Sequence, residues 1–189
     1  SYSWDSRFNL TETGSLTLLN DNLDLSQTDS FIFDGTIDTG IGNFTPPVYA
    51  QLNLKGVLDA ANLKIPQTNS LNISGDVTLT QGNMSYPDLN EFYLSGNLDL
   101  GDRNLDLEQA TIFELTSNSD LNTGKLILES FNNQLSFPST ATVQNISAPS
   151  IQHLNISGDL TSPVLEASQL TDLNVSGVAD INQASVGDL

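Results

Sequence analysis

The sequence predicts an all-β chain, wound as a right-handed parallel β-helix (a β-solenoid) of about nine coils of 19–21 residues. Three observations carry this. A small or corner-forming position recurs at Gly14, Gly35, Gly56, Gly75, Gly96, Ser117, Phe137, Gly158 and Gly177. Apolar residues hold fixed places relative to that corner, and the residues between them are polar. A period of this size means stacked units that bury their apolar faces only against their neighbours.

Four coils carry the corner openly, as Leu71-Asn-Ile-Ser-Gly75, Phe92-Tyr-Leu-Ser-Gly96, Leu154-Asn-Ile-Ser-Gly158 and Leu173-Asn-Val-Ser-Gly177. Two residues before the corner lie Phe33, Leu54, Ile73, Leu94, Leu115, Leu135, Ile156 and Val175, with Glu12 as the exception. Four before it lie Leu10, Phe31, Leu52, Leu71, Phe92, Phe113, Leu154 and Leu173, with Asn133 as the exception. Nine after it lie Leu23, Phe44, Ile65, Met84, Leu105, Leu126, Ile146, Ala167 and Val186. Polar Asn53, Asn72, Glu114, Asn155 and Asn174 separate the two columns before the corner, so the local period is two. Period two is a strand with one face in and one face out.

Three places after the corner every coil is polar: Thr17, Asp38, Asp59, Thr78, Asp99, Asp120, Thr140, Thr161 and Asp180. A leucine-rich repeat would bury leucine there, so that architecture is rejected. A hexapeptide left-handed helix needs a strict six-residue period and is rejected too. Parallel crossovers prefer the right hand. Coils stacked at about 4.8 Å give a rod roughly 43 Å long.

Along the chain, residues 1–12, with Trp4 and Phe8, are expected to cap the N-terminal end of the core, and 13–189 form the solenoid. Pro46-Pro47 within 40–50 and Asn133 and Pro138 within 130–142 break coil regularity and read as side loops or bent corners. Val178, Ile181 and Val186 still follow the repeat, so the C-terminal end is expected to be uncapped, with more chain or a second copy beyond it.

Composition bounds the partners. The net charge is −18, from 23 acidic against five basic residues, and such a field repels nucleic acid and anionic membranes. Cysteine is absent, so no disulfide framework exists. No apolar run approaches the roughly 18 residues that span a bilayer.

Coils of about twenty residues with Leu-x-Ile-x-Gly-[Asp/Asn]-Leu corners, as at 71–77, 94–98 and 154–160, resemble the filamentous-haemagglutinin and autotransporter-passenger β-helices of bacterial surface proteins. The resemblance implies an extracellular or surface-anchored adhesin, stalk or fibre. Bactofilin scaffolds and the shafts of viral fibres are similar, which implies instead a filament built by end-to-end stacking.

Catalytic signatures are absent from the sequence, and the chain reads as non-enzymatic. His153 is a lone surface histidine, and Arg7 and Arg103 form no cleft that would serve a polysaccharide-cleaving β-helix. Asp38 over Asp59 and Asp99 over Asp120 would place like charges one strand spacing apart. Two readings follow: a solvated face whose aspartates blunt aggregation, or a Ca²⁺ ladder completed by Asp76, Asn97, Asn118 or Asp159. No cofactor is otherwise required. An ordered threonine array would suit ice, but the interspersed aspartates spoil its regularity. The sequons at Asn9, Asn43, Asn72, Asn83, Asn145, Asn155 and Asn174 read as products of the repeat, with Asn72, Asn155 and Asn174 as stacked outward asparagines. A glycan-binding role would draw its contacts from the 40–50 and 130–142 loops.

Overall fold

A computed structural model describes residues 2–3 as backbone, and 7–86 and 88–187 in full; Trp4, and with it part of the N-terminal cap, lies outside the described residues. The chain is a parallel β-solenoid of about nine turns. Strand pairs among the described residues are parallel throughout, and each joins segments one coil apart.

Each coil has three faces. The first precedes the corner, as in Leu52–Leu54, Leu71–Ile73 and Phe92–Leu94, which stack residue on residue. The second follows the corner, and its nine strands, from Ser15–Thr17 to Val178–Asp180, pair without a break. The third follows a turn and contains Leu23, Phe44 and Leu63, then Met84, Leu105, Leu126, Ile146, Leu165 and Ala184. Their inward side chains form one continuous apolar core. Alternation of strand faces sends every second residue inward. Accordingly Leu58, Val77 and Leu98 are buried, and the intervening Asp59 and Asp99 are exposed.

The corner column differs from the sequence expectation at two coils, and the reason is turn length. Leu94 pairs with Leu115 and Asn97 with Asp120, so two residues span the lower corner and four span the upper. The surplus is taken up by a turn in which the Ser119 N–H donates to the Thr116 carbonyl at 3.1 Å. The true corner is therefore Ser119, and above it Ser139, not Ser117 and Phe137; their hydroxyls lie 2.9 Å apart. Phe137 instead stacks under Ile156, and Leu135 under Leu154. The Asn133 exception thereby disappears. The Glu12 exception has the same origin: Leu10 pairs with Phe33 and Ser15 with Thr36, leaving four residues at 11–14 opposite two.

The third face carries a second correction. Leu63 and Leu165 occupy its buried column, and the exposed Ala184 continues it in register, where Ile65, Ala167 and Val186 were expected. Turns from the second to the third face come in two lengths. Five residues lie between Asp38 and Phe44 but three between Asp59 and Leu63. Three of the longer turns hold a residue at positive φ, Asn20 at 65°, Gly40 at 57° and Gly101 at 56°. Glycine and asparagine visit this left-handed region at least cost. At Leu126 and Ile146 the misplaced corner and the shorter turn cancel, so those two residues fall in the column as expected.

The two irregular segments have a clear structural result. On the first face no ladder joins Ser30–Phe33 to Gln51–Leu54, or Ile112–Leu115 to Leu135–Phe137. Pro46 and Pro47 are buried in the first of these coils, and a proline has no N–H to give a ladder. Elsewhere on that face the strands pair continuously.

Candidate functional site

The outward columns decide what a ligand could meet. On the second face the order is Thr17, Asp38, Asp59, Thr78, Asp99, Asn122, Thr142, Thr161, Asp180. Asp38 and Asp59 are stacked as expected. Asp99 and Asp120 are not: Asp99 sits between Thr78 and Asn122, and Asp120 sits one column away between Asn97 and Thr140. The two surplus residues at 116–119 shift the register. Asn118, expected beside this ladder, lies in that same turn, and Asp120 occupies the column where it was placed.

Amides of neighbouring coils engage two of the outward carboxylates. Asn122 Nδ2 donates to Asp99 Oδ1 at 2.8 Å, and Asn97 Nδ2 donates to Asp76 Oδ1 at 2.7 Å. Asp38 Oδ1 accepts the Gly40 N–H at 2.8 Å. Among the described residues, no three His, Cys, Asp or Glu side chains converge as a metal site would require. The four aspartates proposed for Ca²⁺ thus reduce geometrically to the pair Asp38 and Asp59.

That pair yields a simple expectation. Two carboxylates about 4.8 Å apart repel by about 0.9 kcal/mol even in bulk water. Asp59→Asn should therefore raise stability by about that amount at low ionic strength, with the gain shrinking as NaCl screens the pair. Urea denaturation at two salt concentrations measures it. A variant no more stable than the parent at low salt would mean that the carboxylates do not repel, and would revive the bridging cation.

A column that sequence reasoning missed lies at the entry to the third face. Asn22, Asn43 and Asn62 stack through their amides: Asn43 Nδ2 donates to Asn22 Oδ1 and Asn62 Nδ2 to Asn43 Oδ1, both at 2.7 Å. Asn83 Oδ1 accepts the Asn104 N–H at 2.9 Å. The signal was present, since Asn22, Asn43, Asn83 and Asn104 each precede a residue of the buried third-face column. Outward on the first face, Asn174 Nδ2 donates to Asn155 Oδ1 at 2.9 Å, and Asn72 pairs with Asn53, so the repeat-derived sequons do stack. His153 is half-exposed with Nδ1 3.5 Å from Asp172, and Arg103 Nη1 donates to the Leu100 carbonyl at 2.9 Å.

Concave surface is found mainly where the coil is irregular. A cleft of about 260 Å³ lies over the unpaired strands at 112–115 and 135–137, with Phe113 and Phe131 beneath it. Another, of about 200 Å³, lies over Phe31 to Asp34 with Asn53 and Lys55. The 116–119 turn borders a polar groove with Asp120 and Asp159. Apolar and polar groups mix where the third face turns back to the first. There a groove of about 410 Å³ crosses 48–50, 67–69 and 88–90, and a pocket of about 110 Å³ adjoins it. Tyr86 lines the inner pocket, its hydroxyl donating to the Leu63 carbonyl at 2.7 Å. Burial raises the Tyr86 phenol above its ordinary value, so it is a neutral donor at any physiological pH.

No protein-family model, curated protein or solved structure matches the chain.

Proposed function

We propose that this chain is a non-catalytic structural rod, a stalk or fibre segment of an extracellular or cell-surface protein that displays adhesive surfaces along its length. The observation that carries the reading is the second face, whose nine strands pair without interruption over a single continuous core. A sheet of this kind resists bending because each coil is tied to its neighbours by ladder bonds and by interlocked side chains. The coil length and corner motif it shares with filamentous-haemagglutinin and autotransporter-passenger solenoids favour placement on a bacterial surface.

A second reading, self-assembly by stacking of coils, is favoured by one observation. In the last coil Leu173, Val175 and Val178 are 41%, 44% and 61% exposed, and its strands pair on one side only. Either further chain or a second copy in register would continue these ladders, and stacking of copies is the scaffold reading. The stalk reading is preferred because the observation that supports it runs through every coil of the second face.

Negative-stain microscopy with sedimentation over a range of concentrations tests both. Discrete rods about 43 Å long, unchanged by concentration, are the expected result. Concentration-dependent filaments would replace the stalk by the scaffold. Release of reducing ends from polysaccharide by the purified chain would overturn both readings.

A further inference from the structure

The groove between the third and first faces has a chemistry that the rod itself does not require. Three successive coils contribute to it in matching places, which puts Val48 in line with Gln67 and Asp88, and Ala50 in line with Asn69 and Asn90. Backbone bonds fix that alignment: the Asn69 N–H donates to the Ala50 carbonyl at 3.0 Å and the Asn90 N–H to the Asn69 carbonyl at 3.1 Å. Asn90 Nδ2 donates to Asn69 Oδ1 at 2.6 Å. Among the described residues this leaves Asn69 Nδ2 as an unengaged donor and Asn90 Oδ1 as an unengaged acceptor. Gln67 and Asp88 are exposed along the same groove. At one end stand Val48, 55% exposed, and Tyr49, whose ring is anchored by its hydroxyl donating to the Asp29 carbonyl at 3.2 Å.

We propose that this groove binds a neutral oligosaccharide lying along the rod axis. A sugar hydroxyl both donates and accepts, which matches alternating amides and a carboxylate better than it matches a ligand of one polarity. Tyr49 and Val48 supply an apolar platform for the C–H face of a pyranose ring. The ligand is neutral because Asp88 is the one charged side chain lining the groove among the described residues. An acidic polysaccharide would find no cation there, and would approach a chain of net charge −18. The axial direction follows from the stacking, since polar side chains recur from one coil to the next at Gln67 and Asp88 and at Asn69 and Asn90, with the apolar Val48 and Tyr49 at one end. The groove commits neither to the stalk nor to the scaffold reading, and its test is independent of both.

The experiment uses the whole chain with cellohexaose, laminarihexaose, maltohexaose, xylohexaose and chitohexaose at millimolar concentration, and polygalacturonate as the acidic probe. Saturation-transfer NMR identifies a binder and calorimetry measures it. Binding of at least one neutral oligomer is expected, weakened at least tenfold by Asp88→Ala and by Gln67→Ala. Both positions are exposed, so the fold tolerates the changes, and thermal melting checks that it does. Asp159→Ala, on another face, should leave affinity unchanged. The proposal is overturned if no neutral oligomer binds, if polygalacturonate binds as well, or if the two groove substitutions leave affinity where it was.

Discussion

Gly96→Ala is expected to cost about 3 kcal/mol or more, as much as overpacking a tight core. A Cβ built on Gly96 would collide with the Gly75 carbonyl oxygen and lie 2.7 Å from the carbonyl of Ser74. Both obstacles are backbone, so no side chain can rotate away. Nor can the coil lift. The Gly96 N–H donates to the Ile73 carbonyl at 3.2 Å, the Asn97 N–H to Gly75 at 3.0 Å, and the Asp120 N–H to Gly96 at 3.1 Å. Relief therefore requires breaking ladder bonds on at least one side. Ser119→Ala at the corner above is the control. That corner already holds a Cβ, and its replacement should cost about 1–2 kcal/mol for the lost bonds to the Thr116 carbonyl and the Ser139 hydroxyl. Urea denaturation of the two variants decides the matter: equal stabilities would mean that close approach of coils at the corner is not what demands glycine.

Phe92→Ala should destabilise by about 3–5 kcal/mol. Phe92 is fully buried and stacked on Phe113, with ring centroids 5.5 Å apart and an interplanar angle of 11°. Its backbone neighbours in the column are Leu71 below and Phe113 above. Removal of the ring opens a void touching both interfaces, and rigid ladders above and below keep the walls from closing. In a solenoid stability is nearly a sum over neighbouring coils. The loss should accordingly be regional. Amide exchange is expected to accelerate at 70–73 and 112–115, while 36–38, farther down the stack, keeps its protection. A uniform acceleration over the whole chain would show instead that the nine coils unfold as one unit.

The repeat was legible because stacking imposes a chemical rule at each place in the coil. Leu54, Ile73 and Leu94 had to be apolar to fill one shaft of core, and Gly56, Gly75 and Gly96 had to be small where coils touch. Insertions were less legible. A turn such as 116–119 changes the count without changing the rule, and counting residues from a presumed corner carries the error forward to Asp120. The two anomalies at Glu12 and Asn133 were the visible trace of that shift, for in each case the missing apolar residue stood two places away as Leu10 or Leu135. The candidate ligand groove was harder still. Val48, Gln67 and Asp88 are unremarkable singly, and their alignment depends on turn lengths in three different coils.

Sequence alone determined that this chain stacks, how many coils it makes, and the inward columns of the regular coils, because a period of about twenty with alternation of two leaves a parallel solenoid as the arrangement that buries those apolar columns. Tertiary structure alone decided the vertical register of the outward face. Solvated residues carry no packing constraint, so nothing in their identity tells which aspartate lies over which. The ladder hydrogen bonds settle it, joining Asp38 to Asp59 as neighbours and parting Asp99 from Asp120.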